Sequence, residues 1–213
     1  WLQLSNDAQA FSRQYFDGGP FCDLKIFDVL NRRLTMSANV QYGNSTPIAY
    51  SNLFKHNSSL TINANRGTSG IDGSLSTAAG AAFANKKLTV CVLGDISFFY
   101  DSNALWNNYL SPKLRIIVIN NNGGNIFRLI DGPNKVADFE QFFETKHQLT
   151  AKHLATMYGL PYYFCAAQDE LEQTLDSFLS SKKGEAAILE IKTDGKRSAD
   201  IYKQYFKFLE KNK

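Results

Sequence analysis

Two stretches of the chain, residues 88–93 (LTVCVL) and 114–119 (LRIIVI), are apolar at nearly every position instead of at every second one. A strand with one wet face alternates apolar and polar side chains. One that is apolar throughout must be covered on both faces, which is the condition of a parallel sheet between two helix layers. Weaker β-rich runs occupy 39–42, 60–64, 161–165 and 186–191. Helical patterns lie between them. Residues 76–84 are Ala-rich, and Leu171, Leu175, Phe178 and Leu179 recur at helical spacing behind the acidic start Asp169-Glu170. A last amphipathic helix over 198–211 places Ile201, Tyr205 and Leu209 on one face, with lysines around the rest as a solvated surface. Strand–helix alternation of this kind predicts an α/β fold, doubly wound, with a mainly parallel sheet of about six strands and helices on both faces. No repeat, low-complexity tract or long linker divides the 213 residues, so 1–213 is expected to form a single domain.

Composition narrows the partners. With 44% hydrophobic and 20% charged residues the chain has ordinary globular usage, which excludes disorder. Its apolar runs, such as 116–119, fall far short of the roughly 20 residues that span a bilayer, so no membrane span is expected. A net charge of +3, scattered along the chain, gives no reason to expect nucleic acid. Cys22, Cys91 and Cys165 are odd in number, widely spaced and set in apolar surroundings. They read as reduced core thiols of an intracellular, cytoplasmic protein and not as a disulfide framework or zinc site. The chain opens at Trp1 with no charged-then-apolar leader and reads as a piece of something longer.

The two apolar strands end in unusually polar tips. The first closes on Gly94-Asp95 with Ser97 just beyond, the second on Asn120-Asn121-Asn122-Gly123-Gly124. A helix-like stretch over 102–110 separates them, so a βαβ crossover brings both tips to one edge of the sheet. Ligands bind beyond that edge in open parallel sheets. An aspartate, an asparagine amide and a glycine backbone are hard oxygen donors, with no thiolate or imidazole among them. Such a set suits Mg²⁺, or Mn²⁺, sharing its shell with substrate phosphates. Gly94 lets a phosphate approach the backbone, and the amides after Asp95, at the start of the next helix, are positioned to receive a diphosphate. Taken singly, Asn-Asn-Asn-Gly-Gly is a turn. Two polar tips joined by one crossover favour a site.

These residues carry a resemblance. Gly94-Asp95, followed one crossover later by Asn120-Asn121, resembles the signature of the thiamine-diphosphate enzymes, which runs Gly-Asp-Gly and then Asn-Asn. Ile96 departs from it, since most members carry a second glycine there. That departure, with Asn65-Arg66-Gly67-Thr68-Ser69-Gly70-Ile71-Asp72-Gly73 and Asn122-Gly123-Gly124-Asn125-Ile126-Phe127, is similar to one branch, the 2-succinyl-5-enolpyruvyl-6-hydroxy-3-cyclohexene-1-carboxylate synthases of menaquinone biosynthesis. Gly43-Asn44-Ser45 and Phe143-Glu144-Thr145-Lys146-His147 fit as well, so the likeness runs over 40–192. It implies the carboxy-terminal, cofactor-anchoring domain of a longer homo-oligomeric transferase that uses thiamine diphosphate and Mg²⁺. In such an enzyme Asp95, Asn121 and the Gly123 carbonyl would hold the metal. Gly94 and Ser97 would lie against the diphosphate, and Ile71 would wall the bent cofactor. Arg66, Ser45 and Phe127 would meet the substrates, isochorismate and 2-oxoglutarate. The activating glutamate would come from an amino-terminal domain of a second subunit, leaving no catalytic residue in these 213 and making the piece alone inactive. Glu140 and Glu144 read as helix or loop residues.

Arg66 follows the strand 60–64, where a guanidinium can grip a carboxylate in bidentate fashion; a surface arginine in a loop is the alternative. Ser45 fits equally as a helix N-cap before Pro47. Where the branch usually has a second arginine this chain has Ala49, and Arg128 is the candidate to compensate. Asp72 is expected to N-cap the Ala-rich helix. His147 is read first as a loop or capping residue, with contact to the site as the lesser alternative, and Tyr162-Tyr163-Phe164 as strand packing. Two further readings stay open: another thiamine-diphosphate 2-oxo acid decarboxylase or lyase, and a non-enzymatic α/β domain that binds a phosphorylated ligand.

Overall fold

Alternation of two apolar faces along the central strands decides the architecture. In the computed structural model, which describes residues 2–85, 87–181 and 184–212, the chain begins with two helices, α1 (Leu2–Phe16) and α2 (Asp23–Arg33). Strand β1 (Ala38–Tyr42), helix α3 (Thr46–Ser51), strand β2 (Thr61–Ala64) and helix α4 (Ser74–Ala84) come next. Strand β3 (Leu88–Gly94) then runs directly into α5 (Asp95–Tyr100), and β4 (Leu114–Asn120) follows. Short helices α6 (Ile126–Leu129) and α7 (Phe139–Phe142) precede α8 (Ala151–Met157). The chain ends with β5 (Tyr162–Cys165), α9 (Gln168–Ser180), β6 (Ala187–Lys192) and α10 (Gly195–Lys211).

The strands form one sheet in the order β2-β1-β3-β4-β6-β5, and every neighbouring pair is parallel. Each strand foreseen from the sequence is present within a residue or two. Val90, Val92, Ile117, Ile119, Leu189 and Ile191 pack on one face with residues of α2, α9 and α10. Cys91, Leu93, Ile116, Val118 and Ile188 pack on the other with α4, α5 and α8. Both sides of β3 and β4 are therefore dry, which is why their sequences do not alternate. The three cysteines are free and buried. No described helix is long and apolar enough to cross a membrane.

Two local expectations need correction. The β3–β4 crossover holds no helix over 102–110: its α-helix is α5, starting at Asp95 itself, followed by a 3-10 turn at Ser102–Leu105. Gly94 is extended and the Asp95 carboxylate accepts from the Ile96 amide at 2.7 Å, so the helix starts as soon as the strand ends. Nor does Asp72 cap α4. The N-cap is Gly73, left-handed at φ 72° and without a side chain to cap with. The open amide is served from outside, by Asp101, which accepts from the Ser76 backbone at 2.7 Å and its hydroxyl at 2.5 Å.

Candidate cofactor and metal site

The chain leaves β1 towards β2 on one side and leaves β3 towards β4 on the other. Such a switch point opens a crevice at the carboxyl ends of the strands. A cleft of about 410 Å³ lies there. Its walls come from the segments after β1 (Asn44, Ser45), after β3 (Gly94, Asp95, Ser97) and after β4 (Asn121, Gly123, Phe127), with Ile71 from the loop before α4.

At its base the two polar tips meet. The Gly123 amide donates to Asp95 Oδ2 at 3.0 Å, and β3 and β4 are in register as far as Gly94 and Ile119. Asp95 is 2% exposed. Gly123 has no room for a side chain, because a Cβ would stand 2.6 Å from the Glu144 carbonyl. The consecutive asparagines differ in what their oxygens do. Asn120 Oδ1 accepts from Lys192 Nζ at 3.1 Å and from the Asn122 amide at 3.2 Å. Asn122 Oδ1 accepts from the same ammonium, which burial pulls below its ordinary pKa. Asn121 donates through Nδ2 to the Asp23 carboxylate at 2.7 Å, while its Oδ1 is buried with no hydrogen-bond partner.

A buried carboxamide oxygen without a donor is expensive, and a hard cation is the partner that satisfies it beside a carboxylate. Among the described residues no three His, Cys, Asp or Glu side chains gather as a metal cluster. A cation at this edge would have to draw on a mixed set of oxygens, and Asp95, Asn121 and Gly123, which line the same cleft, are residues of a kind that fits it.

Strain concentrates around the cleft. The non-glycine residues with positive φ among those described are Ser45 (73°), Ser69 (59°), Asn122 (68°) and Thr145 (52°). Three of them line the cleft, and the fourth is in the Asn120–Gly124 loop. For the β-branched Thr145 this conformation is a true outlier, and such residues cluster at ligand sites. Ser45, although it precedes α3, makes no side-chain cap bond. It holds the N-cap position through its backbone alone, its carbonyl accepting from the Ala49 amide at 3.3 Å, and it lines the cleft.

Residues 42–191 match the thiamine pyrophosphate enzyme, C-terminal TPP binding domain. The chain belongs to this family. It is 42% identical over 190 residues to the 2-succinyl-5-enolpyruvyl-6-hydroxy-3-cyclohexene-1-carboxylate synthase of Christiangramia forsetii, covering 89% of this chain and 33% of the relative. The same-named protein of Flavobacterium psychrophilum is 45% identical over 190 residues, 89% of this chain and 34% of its own. That of Porphyromonas gingivalis is 37% identical over 210 residues, 98% of this chain and 36% of its own. The chain thus spans about a third of the length of these relatives.

Within this TPP-binding domain the foreseen residues gather at the cleft with one exception. Arg66 lies in the exposed loop after β2 and does not line the cleft; its Nη1 donates to Asn44 Oδ1 at 2.9 Å. Asn44 in turn ties down that loop by donating to the carbonyls of Asn65 and Gly70 at 2.8 and 2.6 Å. Ser97 donates to the Ile71 carbonyl and so joins the start of α5 to the same loop. Arg128 does not stand in for an arginine at Ala49. Its guanidinium is taken by Glu144 at 2.6 and 2.5 Å and by Glu140 at 2.9 Å, a pairing invisible at the level of sequence.

One contributor was underweighted and another missed. His147 is no mere loop residue, since its Nε2 stands 3.2 Å from Asp95 Oδ2. The Leu149 amide donates to its Nδ1 at 3.1 Å, while the buried Nε2, close as it is to the aspartate, makes no hydrogen bond. Asp23, at the start of α2, holds Asn121 although 98 residues separate them. Burial pushes its carboxyl pKa up, against the pull of the hydrogen bonds it accepts. No local pattern marks it, because its role is defined only by what the fold brings near.

Proposed function

We propose that this domain anchors the diphosphate of thiamine diphosphate through a divalent cation, Mg²⁺ foremost and Mn²⁺ as an alternative. Asp95, Asn121 Oδ1 and the Gly123 carbonyl would hold it. The buried, unpartnered Asn121 oxygen, on a cleft at a sheet switch point that Asp95 and Gly123 also line, is the observation that carries this reading. Gly94 and Ser97 border the diphosphate end of the cleft, Ile71 gives it an apolar wall, and Ser45 and Phe127 face the substrate end. Arg66 lies outside the cleft lining but is bonded to Asn44, which lines it, and a guanidinium so held can meet a carboxylate. When bound, thiamine diphosphate supplies the nucleophilic carbon and electron sink that let a 2-oxo acid lose CO₂ and its acyl remnant add to an acceptor. These residues contribute binding, orientation and a dry pocket.

Its relatives are named 2-succinyl-5-enolpyruvyl-6-hydroxy-3-cyclohexene-1-carboxylate synthases; on that likeness we read the longer enzyme as a cytoplasmic, homo-oligomeric transferase acting on 2-oxoglutarate and isochorismate, with the activating glutamate outside these 213 residues. The test uses the full-length natural chain. Mg²⁺-dependent binding of thiamine diphosphate, followed by tryptophan quenching, should fall at least roughly 100-fold in Asp95→Ala. Parent-like binding would remove the metal-site assignment. Turnover with pyruvate alone, and none with 2-oxoglutarate plus isochorismate, would move the enzyme to another thiamine-diphosphate branch.

A further inference from the structure

Asp23 is a buried carboxylate with no cation beside it among the described residues. It is 1% exposed, and what it has instead is donors. Its Oδ1 accepts from Thr193 Oγ1 at 2.5 Å and Ser198 Oγ at 3.1 Å, and its Oδ2 from Asn121 Nδ2 at 2.7 Å and Asn125 Nδ2 at 3.3 Å. The Asp23 amide donates back to Ser198 Oγ at 3.1 Å. Placing a carboxylate out of reach of water is unfavourable even when it is well hydrogen-bonded, and an apolar residue serves a core better. Stability alone is therefore a poor account of Asp23.

The chemistry of the pair supplies a better one. A carboxylate only accepts, so Asn121 must turn its amino group to Asp23 and leave Oδ1 on the other branch of the amide. We propose that Asp23 is a positioning residue for the cation: it fixes which end of the Asn121 carboxamide is offered as a ligand. The inference deepens the metal-site reading and rests on it. With a carboxamide in place of Asp23, which offers a donor as well as an acceptor, the Asn121 amide is free to turn by half a rotation and present N–H groups where a cation needs an oxygen. Thr193 and Ser198 hold the carboxylate from behind, at the carboxyl end of β6 and in the first turn of α10. Helix α2, strand β4 and helix α10 thus converge on one ligand. Partners of this kind orient metal ligands elsewhere, and their loss weakens metal binding.

The experiment is a reciprocal exchange in the full-length natural chain. It is read as Mn²⁺ affinity from the free-ion EPR signal at fixed thiamine diphosphate, alongside the unfolding midpoint without metal. Asp23→Asn should weaken Mn²⁺ binding roughly 10–100-fold at temperatures where the protein is folded. Asn121→Asp sets two carboxylates against each other and should do the same or worse. In the combined variant a carboxamide at 23 donates to a carboxylate at 121, and affinity should recover to well above either single change. A purely structural Asp23 predicts additive losses and no recovery, and that result overturns the proposal. So does parent-like Mn²⁺ affinity in Asp23→Asn while Asp95→Ala abolishes binding. If Asp95→Ala also binds like the parent, the metal-site reading itself has failed, and the Asp23 proposal with it. Should Asp23→Asn not accumulate as folded protein, Thr193→Val loosens the same carboxylate from behind. A several-fold loss of Mn²⁺ affinity there supports the proposal, and none overturns it.

Discussion

Asp23 and Glu190 invite direct comparison. Each is 1% exposed, neither has an ion-pair partner among the described residues, and each holds one of two consecutive asparagines by its amino group. Glu190 also accepts from Tyr162 Oη at 2.6 Å, Thr150 Oγ1 at 2.7 Å and the Ala151 amide at 3.2 Å. The difference lies one atom further on. Asn120, held by Glu190, has its oxygen closed off by Lys192 and the Asn122 amide. Asn121, held by Asp23, has an open oxygen. The Glu190 network is a closed circuit joining β4, β5, β6 and α8. The Asp23 network ends in two acceptors with nothing to accept from, Asn121 Oδ1 and Asn125 Oδ1. A buried polar cluster is thus not by itself a sign of function. The unspent hydrogen-bonding capacity at its end is.

That contrast breaks cleanly if the two sides respond alike. Glu190→Ala strips the acceptor from four donors, three of them on side chains that stay buried or half-buried. It should cost about 3 kcal/mol of stability and leave Mn²⁺ affinity within a small factor of the parent. The shift of the unfolding transition measures the first quantity and the free-ion signal the second. Asn121→Ala should do the reverse, losing roughly 100-fold in cation affinity, or ~2.8 kcal/mol, with the metal-free midpoint nearly unchanged. Deleting an unpartnered oxygen removes a penalty along with the hydrogen bond to Asp23. A stability loss in Asn121→Ala as large as that in Glu190→Ala would show that the open oxygen was not open.

Gly123 sharpens the same contrast through the backbone. A methyl group there would meet the Glu144 carbonyl at 2.6 Å, and that carbonyl already accepts from the Gly124 amide. Gly123→Ala should push the loop off Glu144, which Arg128 fixes in place, and so displace the carbonyl offered to the cation. A loss of about tenfold in Mn²⁺ affinity is expected, equivalent to ~1.4 kcal/mol. Relief on adding Glu144→Ala is not expected, because the clash is with the main chain.

How much of this could be read in advance follows from how local each signal is. Strands β3 and β4 announced themselves because an apolar run with no polar alternation has few other uses. The Gly94-Asp95 and Asn120–Gly124 tips were legible because one short crossover forces them together. The helix start just after Asp95 was legible too, but the helix-like stretch over 102–110 was misread, since only a 3-10 turn at Ser102–Leu105 follows α5. Asp23 was out of reach, and His147 and Arg128 were misweighed, for another reason. Each takes its meaning from a partner chosen by packing: Asn121, Asp95 and Glu144 respectively. Nothing in the charged run Asp23–Arg33 distinguishes the one carboxylate that turns inward to the site from Asp28, which pairs with Arg32 at 3.2 Å.

Asp101 gives the smallest expected effect, and one that isolates a structural acid close to the site. It ends the short crossover helix that Asp95 begins, yet its carboxylate serves α4, accepting from the Ser76 amide and hydroxyl. Gly73 at the N-cap has no side-chain oxygen to do this, so the cap arrives from 25 residues downstream. Asp101→Ala should cost about 1 kcal/mol, the ordinary value of a lost helix cap, measured as a shift in the unfolding midpoint. Helix α4 packs on the face of the sheet opposite α2 and α10. Mn²⁺ affinity should therefore stay at the parent value. A coupled loss of cation binding would mean that α4 and the Ile71 loop before it hold the cleft in shape, and that the division between closed and open networks is less sharp than the two carboxylates make it.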